Sequence, residues 1–104
     1  MVLASLEYDR DVWRAGEDFH CGLWIVNDNW YAIPGAHIRW RIVDSSGAEA
    51  KRGDLSVDIA EDSSRKLDEL RWKLASPGMY ELHAEVLSRE GRRLSENLYE
   101  FEVK

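Results

Sequence analysis

The chain has 104 residues, 44% of them hydrophobic and 33% charged, and a formal net charge of −6. That length fits a single domain over residues 1–104 with enough apolar side chains for a real core. The acidic balance leaves no basic block to neutralise a phosphate backbone, which excludes a nucleic-acid role, and no run of about 18 apolar residues offers a membrane-spanning helix.

Taken in order, Leu3–Tyr8 reads as a short strand, broken by Asp9-Arg10-Asp11, and Val12-Trp13 resumes an extended segment. Ala15–Asp18 is a turn. The longest β-prone run follows, Phe19 to Val26. Phe19, Cys21, Leu23 and Ile25 share one face and Trp24 and Val26 the other, the pattern of a strand covered on both sides. Asn27-Asp28-Asn29 ends it, because Asx side chains bond nearby backbone. Trp30–Gly35 reads as a loop with a Pro-Gly turn.

Ala36–Val43 alternates, with Ile38, Trp40 and Ile42 inward and His37, Arg39 and Arg41 outward. Asp44–Gly47 is a hairpin turn. Ala48–Arg52 reads as a weak edge strand, Gly53-Asp54 as a turn, and Leu55, Val57 and Ile59 as the inner face of another strand. Ser63–Leu74 fits two patterns. Leu67, Leu70 and Leu74 have helical spacing, whereas Leu70, Trp72 and Leu74 alternate. A lone helix among strands would leave Trp72 among charges, so the reading taken is a strand over residues 69–75. After Ser76-Pro77-Gly78, Tyr80, Leu82, Ala84 and Val86 alternate with charged residues, and Leu94–Val103 closes the chain.

About seven strands at this spacing predict an all-β fold, an immunoglobulin/fibronectin-III-like antiparallel β-sandwich. Trp40 falls mid-strand, where such sandwiches bury a tryptophan. Tyr80 falls at a strand start, where a tyrosine corner belongs. The position two residues after that tyrosine, which holds the second cysteine in disulfide-bonded immunoglobulin domains, is Leu82. Cys21 is the only cysteine, so Cys21 and Leu82 are expected to be apolar partners across the sheets, and no internal disulfide is available.

No residue pattern calls for catalysis or a cofactor. His20, His37 and His83 each face outward, no metal-ligand spacing occurs, and no nucleophile or phosphate-loop motif is present. The many carboxylates read as solvated strand faces rather than a glycosidase pair in a cleft. The aromatics carry more. Trp13, Trp24, Trp30 and Tyr31 are not all needed inside, and they are the candidates for contact with a sugar or with a neighbouring domain. The N-terminal residues lack the basic start of a signal peptide. The expectation is either an intracellular chain or a domain cut from a longer protein, with the compartment left open.

Trp24–Asp28, Ile38–Ile42 with Asp44–Gly47, Pro77–Tyr80 and Ser95–Tyr99 occur in this order, and the set resembles the C-terminal immunoglobulin-like domains of glycoside hydrolase family 2 enzymes, of the β-mannosidase and exo-β-glucosaminidase type. The resemblance implies a non-catalytic accessory domain that packs against and supports a (β/α)8 barrel carrying the catalytic glutamates. Its partners would be the other domains of the parent enzyme; the alternatives are a carbohydrate-binding module using the exposed aromatics and an immunoglobulin-like protein-interaction domain. It also matches Asn27 and Asn97 to the family pattern. Physically, both suit side chains that bond backbone near a strand bend.

Overall fold

The computed structural model describes residues 1–104 and contains strands and turns only. The strands are β1 (Val2–Glu7), β2 (Val12–Trp13), β3 (Asp18–Asn27), β4 (Ile33–Asp44), β5 (Glu49–Ile59), β6 (Ser63–Lys73), β7 (Gly78–Leu87) and β8 (Arg93–Val103). They form a three-stranded sheet, β1-β3-β6, facing a five-stranded sheet, β2-β8-β7-β4-β5. Every pairing is antiparallel except that of β2 with β8. This is the expected immunoglobulin-like sandwich, with eight strands because the Val12-Trp13 segment pairs along the end of β8. Asp9–Asp11 is where the chain leaves one sheet for the other.

Period-two alternation builds the core. On β3, Phe19, Cys21, Leu23 and Ile25 are each at most 1% exposed. They face Leu82, Ala84 and Val86 of β7 and Phe101 and Val103 of β8 in one apolar cluster. Cys21 and Leu82 thus sit on the inner faces of opposite sheets. Burial pushes the Cys21 thiol from 9.0 up to about 12, which makes it an inert small hydrophobe rather than a nucleophile.

Aromatic rings fill one end of the sandwich. Trp13 packs on Phe19 at 5.1 Å, Phe19 on Phe101 at 4.6 Å, Phe101 on Tyr80 at 5.6 Å and Tyr80 on Trp72 at 5.4 Å between centroids. The hydroxyls are used as ties. Tyr80 donates to the Ser76 carbonyl at 2.8 Å, closing the tyrosine corner. Tyr99 donates to the Arg10 carbonyl and accepts from the Trp13 indole N–H at 3.1 Å. Asn97 of β8 donates to the Ala4 carbonyl of β1 at 3.1 Å, a hydrogen bond between the two sheets.

Four expectations are corrected. Gly53-Asp54 is not a turn. β5 runs unbroken, and Gly53 pairs directly with Trp40. A Cβ at Gly53 would lie 2.5 Å from the Trp40 ring, so the glycine serves close packing, not chain reversal. Strand β6 begins at Ser63 rather than residue 69, and its whole length pairs with β3, which excludes a helix. The helical spacing of Leu67 and Leu70 has a local cause. A register shift opposite Leu23/Trp24 lets both leucines pack against the core. β4 begins at Ile33, and Pro34-Gly35 is an irregularity within it rather than a turn before it. Finally, β3 is covered on its inner face only; Trp24 and Val26 on the outer face are half-buried.

Two outcomes test this packing. Gly53→Val should lower the unfolding free energy in urea by about 1–3 kcal/mol through overpacking against Trp40. The second concerns alkaline pH. Burial also raises the Tyr99 phenol from 10.0 to about 12. Both Cys21 and Tyr99 therefore hold protons that the unfolded chain releases earlier, so stability is intact below pH 9 and falls as pH rises toward 12. Unfolding free energies measured across that range should show the fall, and Cys21→Ala should remove the part that begins near pH 9.

Candidate functional site

Antiparallel pairing puts the β3–β4 loop, the β5–β6 turn and the β7–β8 loop at one end of the sandwich, opposite the aromatic end. Asn27, the last residue of β3, organises this tip. It is the one buried amide side chain, at 1% exposed, and all its hydrogen-bonding atoms are used. Its amide donates to the carbonyls of Tyr31 and Ala60, both at 3.1 Å. Its carbonyl oxygen accepts from the Asn29 backbone N–H at 3.1 Å and the Asn29 side-chain amide at 2.9 Å. The Asp62 N–H donates to the Asn29 carbonyl at 3.0 Å. Asp62 takes a left-handed backbone, φ 43°, which a short Asx side chain tolerates. The β3–β4 and β5–β6 connections are therefore laced to each other through one side chain.

This frame holds two aromatic rings in water. Trp30 is 92% exposed and Tyr31 63%. A depression of about 360 Å³ lies on the Trp30 side, where every other lining residue is polar: Asp28, Asn29, Glu61 and Asp62. A cleft of about 440 Å³ lies on the Tyr31 side, with Pro34 and Leu94 in its wall and Arg89, Glu90 and Arg92 at its rim. Arg89 is seated over Gly35, where a Cβ would be 2.6 Å from its Nε, and Gly35 also has φ +68°. The positive φ calls for glycine there, and the absence of a side chain leaves room for the guanidinium.

The four aromatic candidates separate. Trp30 and Tyr31 come together at the tip. Trp24 lies elsewhere, on the outer face of the three-stranded sheet, its indole N–H donating to Glu7 at 3.1 Å. Trp13 is corrected outright. At 1% exposed it belongs to the core, with Arg10 over its ring at 4.3 Å, and offers no contact surface. Trp40, at 7% exposed, packs in the core as expected. The histidines lie outside the core with acidic or hydroxyl neighbours, as in His20 with Glu69 at 3.2 Å and His37 with Ser56 at 3.2 Å. No group of three or more His, Cys, Asp or Glu side chains is placed to hold a metal ion. Sequence reasoning missed Asn29, Arg89 and Arg92 as tip residues. The signal was available, since alternate turns of an antiparallel sandwich must share one end.

The family model of the Mannosidase Ig/CBM-like domain matches residues 20–103, and the chain belongs to that family. No curated protein sequence matches it. Among solved structures, it is similar to the CARDB domain of a Pyrococcus furiosus protein in complex with di-metal ions, at a TM-score of 0.72 and 18% identity, over 97% of this chain and 89% of that one. It is also similar to part of the Pseudomonas fluorescens alkylpurine DNA glycosylase AlkC bound to DNA, at a TM-score of 0.62 and 16% identity, over 99% of this chain and 30% of that one. A third similarity is to part of a family 123 glycoside hydrolase from Clostridium perfringens, at a TM-score of 0.58 and 11% identity, over 99% of this chain and 27% of that one. At these identities the likeness is one of fold alone.

Asn27→Ala would strip partners from two carbonyls and an N–H at once. The unfolding free energy should fall by about 2–3 kcal/mol, and the amides of residues 29–31 should lose hydrogen-exchange protection ahead of the β-sheet amides.

Proposed function

We propose that the chain is a non-catalytic accessory domain of a mannosidase-type enzyme of glycoside hydrolase family 2. It docks on the catalytic (β/α)8 barrel through the outer face of β1-β3-β6. The carrying observation is a short apolar row on that face. Leu3 pairs with Val26, and Trp24 pairs with Ser5 beside them. All three apolar side chains point away from the core and are only half-buried. No layer covers this face within the domain, and burying it on a neighbour would contribute roughly 25 cal/mol per Å² of apolar surface. Membership of the Mannosidase Ig/CBM-like family supports the enzyme class. The domain's contribution is then mechanical: it fixes the barrel's surroundings through packing, with no proton or nucleophile of its own.

Mixing this domain with the separately purified barrel of the enzyme that carries it should give a complex in analytical ultracentrifugation. Val26→Glu should weaken that complex at least about tenfold by placing a charge in a desolvated interface. It should leave the domain's own unfolding within about 0.5 kcal/mol, as for surface changes generally. Association that is absent, or indifferent to Val26→Glu, would refute docking through this face.

A further inference from the structure

We propose that the tip is a carbohydrate platform on which Trp30 and Tyr31 stack against a neutral β-linked hexopyranose chain. This surface is distinct from the docking face.

Trp30 does nothing for the fold. At 92% exposed its ring forgoes the burial that makes tryptophan stabilising. Yet the loop carrying it is held by the bonds of Asn27 and by the Asp62–Asn29 link. The backbone that presents the ring is thus preorganised, which lowers the ordering cost of binding to that of the side chain alone.

The surroundings select the ligand. Protein hot spots centre an aromatic anchor among apolar neighbours that exclude water. Around Trp30 the neighbours are carboxylates and an amide instead. A ligand there must bring both an apolar face and many hydroxyls. A β-hexopyranose chair does: its C1, C3 and C5 hydrogens share one face, suited to dispersion against an indole. Its edge hydroxyls donate to carboxylates in charge-assisted bonds.

Charge selects further. Glu61, Asp62 and Asp28, the last paired with the N-terminal ammonium, flank Trp30, whereas Arg89 and Arg92 with Glu90 between them flank Tyr31, so the Trp30 side is net acidic and the Tyr31 side net basic. An anion or a cation crossing the loop would be attracted on one side and repelled on the other. Neutral hydroxyls satisfy both, donating to the carboxylates and accepting from the guanidiniums. The two depressions, about 360 and 440 Å³, share Asn29 and lie in the size range of small-ligand sites. A chain of several sugar units could occupy both.

The test is titration of the 104-residue chain with mannohexaose, cellohexaose and a glucosamine hexamer, followed by tryptophan fluorescence and calorimetry. A neutral hexaose should bind, and Trp30→Ala should weaken it about tenfold through lost stacking while leaving the unfolding midpoint unchanged. Tyr31→Ala should weaken binding as well, and it keeps the backbone carbonyl that accepts from Asn27. No binding of either neutral hexaose at millimolar concentration, binding unaffected by Trp30→Ala, or binding of the glucosamine hexamer alone would each overturn the proposal. All readouts use the isolated domain, so failure here leaves docking through Leu3, Trp24 and Val26 standing, and failure of docking leaves this site standing.

Discussion

The Tyr99 hydroxyl is the constraint on which the sandwich closes. It donates to the Arg10 carbonyl and accepts the Trp13 indole N–H at 3.1 Å. Those two partners sit in the short stretch where the chain crosses from β1 in one sheet to β2 in the other. Without that anchor, the crossing segment would be an acidic loop with little to bury. With it, Trp13 is pinned over Phe19, and Tyr8 stacks on the Tyr99 ring at 3.6 Å. β2 is then drawn alongside β8 as its single parallel neighbour. A buried phenol that satisfies both a donor and an acceptor adds specificity as well as stability, since any other placement of the crossing leaves an orphaned indole N–H.

The opposite end uses the same device for another purpose. There Asn27 is the buried polar group, and its four bonds organise loops rather than close a core. One end is sealed by stacked rings and the other is open, polar and cross-linked by hydrogen bonds. The asymmetry follows from what each buried polar residue reaches. Tyr99 reaches a segment that brings a large apolar side chain with it. Asn27 reaches backbone only, so the side chains of its loops, Trp30 and Tyr31 among them, remain free to point outward.

Much of this was legible in the sequence. Alternation placed the inner face of β3, the core positions of β4, β7 and β8, and the Tyr80 corner, because each depends on period two or on a turn beside it. The misreadings share a cause: a pairing partner distant in the chain overrode a local signal. Gly53 looks like a turn residue until Trp40 is known to lie across from it. Leu67 and Leu70 look helical until the register shift against β3 is seen. Trp13 looked spare because nothing nearby predicts that Tyr99, far along the chain, would take its N–H. At the tip, Trp30 and Tyr31 were visible as surplus aromatics. Arg89 and Asp62 became part of the site only through the sheet order that assembles three loops at one end.

The same packing narrows where a partner can act. An immunoglobulin-like domain commonly offers a sheet edge for strand addition, and here the β5 and β6 edges resist it. β5 carries Lys51 and Arg52 and β6 carries Arg65, Lys66 and Asp68, the charged decoration that blunts edge pairing. Lys51 also reaches from β5 to donate to the Arg71 carbonyl of β6 at 2.8 Å, tying the two edges together and occupying an acceptor that an incoming strand would need. The outer face of the five-stranded sheet is laced with exposed ion pairs such as Arg93–Glu96 at 2.8 Å. Such pairs are worth little in water and would cost desolvation if covered. The apolar row on β1 and β3 and the aromatic tip stand apart from these charged surfaces. These two surfaces differ in kind, one suited to a dry protein contact and the other to a hydrated, hydroxyl-rich ligand.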